Sequence, residues 1–350
     1  MDSENELDAD AALRTLLLPF AGGSLPAPAG ARVLFANARA LPSLPAAASG
    51  WQLQQNFKPW ADALAQRGLA SSIEVPDARF DVELVLLPRQ KLQARALLAQ
   101  CWARLAPGGV LAAAAGNDSG GRSLPKELGA LSAAPVESLS KHHCRVAWVR
   151  RGEGEPGAIA REWLDADAPA PIEGGRFLSR PGVFAWDRID AASRLLAAHL
   201  PADLRGRGAD LGCGYGFLAS AALARAPAIA ALDLYEADAR ALALARANLR
   251  DGDGGSAALA FHWHDVARGL PRADYDFIVC NPPFHAGRAD EPGLGRAFIA
   301  AAGAALRAGG RLYLVANRHL PYEAELRARF ASVRVLAQDG GFKAFEAVRA

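Results

Sequence analysis

The residues Asn281-Pro282-Pro283-Phe284 follow directly on the apolar run Phe277-Ile278-Val279-Cys280. Proline offers no N–H to a strand ladder and pushes the residue before it out of the helical region. The run therefore reads as a strand brought to a stiff stop with Asn281 at its end. The Asn281 Oδ1 and the main-chain carbonyls at 281–282, held in one direction, form two acceptors suited to an exocyclic NH2. Such an amine is a poor nucleophile because its lone pair is delocalised. Accepting both of its hydrogens frees the lone pair for in-line attack on a carbon electrophile, and this needs positioning and dipoles but no strong base. Phe284 supplies a flat face on which an extruded base stacks. Asn281, Pro282, Pro283 and Phe284 are the catalytic candidates.

A second motif, Asp210-Leu-Gly212-Cys-Gly214-Tyr-Gly216, lies between a short apolar strand signal and an Ala/Leu-rich helical stretch. Glycines in that context let the backbone turn and approach a nucleotide-type ligand. Asp233, read as the end of the next strand, is placed to accept from two ribose hydroxyls. A dinucleotide fold would place its third glycine at Phe217, so the spacing favours a cofactor with ribose and adenine but no phosphate, S-adenosyl-L-methionine. Asp265, ending the third strand, is placed for the adenine amine and is equally compatible with a turn or helix-cap role. The cofactor set is Asp210, Gly212, Gly214, Gly216, Asp233 and Asp265.

Residues 181–350 alternate strand and helix signals, the pattern of a parallel sheet with helices on both faces, and close on a hairpin at Gly340-Gly341 that adds an antiparallel strand. A helix spans about 236–250, and another, about 290–307, stops at Gly309-Gly310. Residues 1–152 repeat this order faintly: Leu105–Gly116 echoes Leu306–Asn317, and Pro88 echoes Pro282. The Gly-Pro-acid-rich stretch 153–180 reads as a linker, either free or partly packed on a domain.

The 350 residues are half apolar with a net charge of +2. That balance neither demands nor excludes nucleic acid. The acidic start is unlike a secretory leader, and no membrane span is expected. Four scattered cysteines, with no CxxC pair, point to a reducing cytoplasmic setting and to no metal site.

The segments PGVFAWDRIDAASRLL (181–196), NPPFHAG, VANRHLPYEAELRARF (315–330) and AQDGGFKAFEAV closely resemble the bacterial ribosomal RNA guanine-N2 methyltransferases of the small-subunit (RsmC) and large-subunit (RlmG) types. QQNFKPW (54–60) and GNDSGGRS (116–123) extend the resemblance into the first half. It implies two tandem Rossmann-like class I methyltransferase domains, with a mostly parallel seven-stranded sheet and a C-terminal antiparallel strand in the catalytic domain. Residues 1–152 would be a degenerate domain for folding support and RNA binding, and 181–350 the catalytic one. FANARA (35–40) lacks the glycines and LPRQK replaces NPPF, as that implies. The resemblance also implies a monomer acting on 16S rRNA, free or within the 30S subunit. His285 and Arg288, beside the motif, would then be within reach of RNA, although a solvated loop explains them equally well. The competing readings are a 23S rRNA enzyme, a protein-glutamine N5 methyltransferase and a non-catalytic RNA-binding assembly factor.

Overall fold

The computed structural model describes residues 3–153, 157–249, 257–283, 285–286, 289–290, 292–320 and 322–350. The chain divides into two units, Met1–Ala168 and Pro169–Ala350.

The first unit runs α1 (Ser3–Ala21), β1 (Val33–Ala36), β2 (Gln52–Gln54), α2 (Lys58–Gln66), β3 (Ser71–Ser72), β4 (Phe80–Leu86), α3 (Lys91–Arg104), β5 (Leu105–Gly116), α4 (Leu124–Leu131), β6 (Glu137–Lys141), β7 (Cys144–Arg150) and α5 (Ala158–Ala166). Its sheet has the order β3-β2-β1-β4-β5-β7-β6. The second unit runs β8 (Ala170–Ile172), β9 (Phe177–Ser179), α6 (Ala191–Ala198), β10 (Gly206–Leu211), α7 (Phe217–Arg225), β11 (Ile229–Glu236), α8 (Ala239–Asn248), β12 (Ala258–Trp263), β13 (Tyr275–Cys280), β14 (His285–Ala286), β15 (Ala289–Asp290), α9 (Pro292–Ala305), β16 (Leu306–Asn317), α10 (Tyr322–Arg329), β17 (Ser332–Asp339) and β18 (Phe342–Val348). Its main sheet has the order β12-β11-β10-β13-β16-β18-β17. The two orders are the same permutation of seven strands. In each sheet one strand, β7 or β18, runs antiparallel to both of its neighbours.

Parallel strands covered by helices on both faces must be apolar throughout. β13 obeys this: Phe277, Ile278, Val279 and Cys280 are each at most 1% exposed. α6 and α8 begin on aspartates whose carboxylates accept from main-chain N–H groups of the first turn, Asp190 from Ser193 and Asp238 from Arg240.

Two expectations are corrected. The glycine pair Gly309-Gly310 does not end a helix, because α9 stops at Ala305 and the pair lies inside β16. Gly309 has φ +72°, and a Cβ on Gly310 would lie 2.9 Å from the Tyr275 carbonyl. The pair makes the bulge at which the β13–β16 register shifts. Gly108-Gly109 does the same between β4 and β5, where a Cβ on Gly109 would lie 2.9 Å from the Asp81 carbonyl. The stretch 153–180 is also more than a connector. α5 buries Ala160 and Trp163 in the first unit's core, and β8 and β9 form a hairpin of the second unit that buries Phe177. Its Gly and Pro content concealed the i, i+3 pair that folds α5.

Candidate active site

The turn between β10 and α7 holds Gly212, Gly214 and Gly216 at φ +71°, +54° and +92°, values that disfavour any side chain. The Gly212 and Cys213 N–H groups both donate to the Tyr235 carbonyl, at 2.9 and 3.0 Å, which pins the turn to β11. A Cβ on Gly216 would lie 3.2 Å from Leu249 and 3.4 Å from Ala245, so the third glycine permits helix packing. A Cβ on Gly214 would meet nothing within 4 Å, so the second faces open space at the strand ends. The Gly214 N–H donates to Glu236 Oε2 at 2.8 Å and the Gly216 N–H to the Cys213 carbonyl. The N–H groups of 212, 213, 214 and 216 are thus engaged within the protein and cannot cradle a phosphate.

The acids divide into two kinds. Asp210, next to last in β10, is fully buried, and neither carboxyl oxygen has a hydrogen-bond partner among the described residues. Burial, reinforced by the nearby Glu236, pushes its pKa up to about 8; the Ala219 N–H, outside bonding geometry, offsets only part of this. Glu236 is the last residue of β11. Its Oε2 accepts from Gly214 and its Oε1 from the Asp238 N–H at 2.9 Å, so each oxygen keeps a free lone pair. Burial pushes Glu236 up to about 7, against the pull of those N–H groups.

Asp233 is not at the strand end. β11 continues for three further residues, and Asp233 sits mid-strand, 2% exposed, opposite Ala209 and Ala260. Its Oδ1 is hydrogen-bonded to His262 Nε2 at 2.9 Å, and its Oδ2 accepts from Tyr275 Oη at 3.0 Å and Arg207 Nη1 at 3.2 Å. Burial raises its pKa, but those bonds outweigh burial and hold the carboxyl below its usual range. Both Asp233 oxygens are thus engaged by protein groups, and the acid that ends the strand is Glu236. Asp265 accepts from the Ala267 N–H at 3.0 Å and caps a 3-10 turn, Val266–Arg268.

Asn281 follows β13. Its Nδ2 donates to Asp190 Oδ2 at 3.0 Å and to Ser193 Oγ at 2.8 Å. Its Oδ1 is buried without a partner among the described residues. Pro282 is buried and Pro283 exposed. Phe284 and Arg288 lie outside the described residues; the main chain of His285 pairs with Asp290 in a two-stranded hairpin. The segment 181–190 is fastened to the glycine turn and to α8: Tyr215 Oη donates to the Arg188 carbonyl, and Arg240 Nη2 to the Pro181 carbonyl. Val183 is buried beside Tyr215 and Leu244, whereas Phe184 is 65% exposed.

The strand ends therefore gather Asp210, Gly214, Glu236 and Asn281, a set with unfilled acceptors and no free N–H cluster. That set fits S-adenosylmethionine, whose ribose hydroxyls and ammonium are donors. Glu236, Asp190 and Ser193 were not singled out by sequence reasoning. Glu236 carried a signal, an acid two residues before the Asp238 cap. Asp190-x-x-Ser193 carried one only as a capping pair.

The corresponding edge of the first unit is filled. Asn37, at φ +53°, stands where the glycine turn would begin. Its N–H donates to Gln54 Oε1, its Nδ2 to the Leu86 carbonyl, and its Oδ1 accepts from Gln55 Nε2. Gln55 Nε2 also donates to the Ala38 carbonyl. The ends of β1, β2 and β4 are knitted together by side-chain amides.

Among the described residues no group of three or more His, Cys, Asp or Glu could hold a metal ion, and no helix is long and apolar enough to cross a membrane.

The methyltransferase small domain family matches residues 174–346. The ribosomal RNA small subunit methyltransferase C of Shewanella halifaxensis is 32% identical over 274 residues, 78% of this chain and 79% of that protein. The ribosomal RNA large subunit methyltransferase G of Streptomyces avermitilis is 29% identical over 292 residues, 80% and 74% of the respective chains. A solved structure of the T. thermophilus 16S rRNA guanine-N2 methyltransferase RsmC, in complex with AdoMet and guanosine, superposes with a TM-score of 0.76 at 25% identity, covering 91% of this chain and 88% of that one. The chain belongs to the ribosomal RNA small subunit methyltransferase C family of S-adenosylmethionine-dependent enzymes.

Proposed function

We propose that the protein methylates the exocyclic N2 amine of a guanine in 16S rRNA. The observation that carries this reading is Asn281 Oδ1, a buried acceptor with no partner among the described residues, at the strand end beside the glycine turn. The similarity to the T. thermophilus enzyme complexed with AdoMet and guanosine supports it.

When bound, S-adenosylmethionine supplies a methyl group on a sulfonium, which departs as a neutral thioether. Gly214 leaves room for it, Glu236 would accept from its ribose hydroxyls, and Asp210, buried on the neighbouring strand, would be a second carboxyl of the site. Asn281 Oδ1 accepts one hydrogen of the guanine amine, and a main-chain carbonyl at 281–282 accepts the other. The nitrogen lone pair is then turned toward the methyl carbon. The methylated nitrogen is acidic and releases its proton to water, so no general base is required. Phe284 stacks on the base, and His285 and Arg288 contact the RNA around it. Asp265 would accept from the adenine amine. The first unit binds RNA: its cofactor edge is closed, and residues 11–150 carry 15 Lys and Arg against 8 Asp and Glu.

The test is incubation of the purified protein and labelled S-adenosylmethionine with 16S rRNA, 30S subunits and 23S rRNA, followed by nucleoside analysis. N2-methylguanosine in the small-subunit substrates supports the proposal, and label in 23S rRNA alone replaces it with the large-subunit reading that the Streptomyces relative represents. Label in adenosine or protein overturns both.

A further inference from the structure

A carboxamide has a donor end and an acceptor end of nearly the same shape, and rotation by 180° about its last torsion exchanges them. The chemistry proposed for Asn281 requires the acceptor end to face the cleft. Nothing in Asn281 or its two prolines sets that polarity.

The structure assigns it to α6. The two hydrogens of Asn281 Nδ2 are matched by two acceptors, Asp190 Oδ2 at 3.0 Å and Ser193 Oγ at 2.8 Å. A carboxylate only accepts, so Asp190 tolerates the amide in one orientation. Asp190 is itself fixed, because its Oδ2 also accepts from the Ser193 N–H at 2.8 Å as the cap of α6. The helix start is thus tied to the proline-stopped strand, 91 residues away in sequence. With its donor end saturated, the amide presents only Oδ1, which is buried and has no partner among the described residues.

We propose that Asp190 and Ser193 are positioning residues that set the polarity of the Asn281 amide, and so the acceptor offered to the substrate amine. The amine's role rests on the function proposed above; the polarity lock itself does not.

The test is a reciprocal exchange. Asn281→Asp places two carboxylates in the contact, which lowers the thermal midpoint of the unliganded protein and slows methyl transfer by about 100-fold. Adding Asp190→Asn restores a donor–acceptor pair with its roles exchanged. The Asp190 oxygen that meets both Asn281 and the Ser193 N–H becomes Nδ2, which donates to the new carboxylate at the expense of the cap bond, and that carboxylate's other oxygen is left facing the cleft. The double variant is expected to recover part of the lost thermal midpoint and at least tenfold of the lost kcat. If Asp190 were only a helix cap, Asp190→Asn would change neither quantity in the Asn281→Asp background, since Asn caps a helix as well as Asp does; that result overturns the proposal. Ser193→Ala, which leaves the cap intact, provides a second arm should the exchange variants not fold. It should lower kcat about three- to tenfold with S-adenosylhomocysteine affinity unchanged, and an unaltered kcat contradicts the role. If the unaltered protein transfers no methyl to RNA but the midpoint coupling is present, the functional reading fails and the polarity lock stands.

Discussion

Glu236 and Asp233, three positions apart on β11, give the cleanest separation of the proposed ligand acid from a structural acid. The perturbations are Glu236→Gln and Asp233→Asn, each nearly isosteric. In Glu236→Gln one oxygen becomes an NH2. It then opposes either the Gly214 N–H or the Asp238 N–H, and one acceptor for a ribose hydroxyl is lost. A hydrogen bond to a charged acceptor contributes about 2 kcal/mol, so the dissociation constant for S-adenosylhomocysteine should rise roughly 30-fold. Asp233→Asn loses charge beside His262, Tyr275 and Arg207 without touching the cleft. It should lower the thermal midpoint, since breaking a buried network costs about 1–3 kcal/mol, and should leave cofactor affinity within about threefold. The assay is titration calorimetry below the unfolding transition of each variant. Loss of binding in Asp233→Asn with full binding in Glu236→Gln would refute the assignment of the strand end to Glu236.

Other outcomes follow from the same geometry. Asp210 and Glu236 titrate at about 8 and 7 when buried, above their ordinary carboxylate range, so the folded protein retains protons that the unfolded chain releases. The unliganded protein should therefore lose stability as pH rises from about 4 to 8, and Asp210→Asn should flatten that profile in thermal scans from pH 5 to 8.5. Cofactor donors favour the ionised carboxyls, so affinity by calorimetry should increase over pH 6–8. Gly214→Ala projects a methyl group into the open space of the cleft and should weaken cofactor binding at least tenfold at a stability cost of about 1 kcal/mol, read by calorimetry and thermal melts. Gly216→Ala meets Leu249 and Ala245 and should chiefly destabilise, by about 1–3 kcal/mol in denaturant titrations. Asn37→Ala strips the Leu86 carbonyl of its partner and should cost about 2 kcal/mol, while calorimetry shows neither a second cofactor site nor altered affinity at the first.

Local features were the readable ones. The proline stop at Asn281 and the glycines of 212–216 announce themselves because each encodes a backbone constraint in the residue type. Strand alternation and the Gly-Gly echo revealed two copies of one architecture, although the role of those pairs as strand bulges depends on a neighbouring carbonyl that no local pattern shows. Asp233 was misplaced because β11 runs on through Leu234-Tyr235-Glu236, a stretch that also reads as the start of a helix. The amide lock on Asn281 joins residues 88 and 91 positions apart, and the amide network at Asn37 joins the ends of three strands. Such contacts are products of the tertiary fold, and spacing along the chain does not encode them.

The central claim is that Asn281 acts on the substrate amine and not on the cofactor. Single-turnover transfer to 16S rRNA by Asn281→Ala, paired with calorimetric titration of S-adenosylhomocysteine, tests it most directly. The account predicts a rate lower by about 10²–10³-fold with an unchanged dissociation constant. Transfer at the unaltered rate, or a slow rate explained wholly by lost cofactor binding, would contradict it.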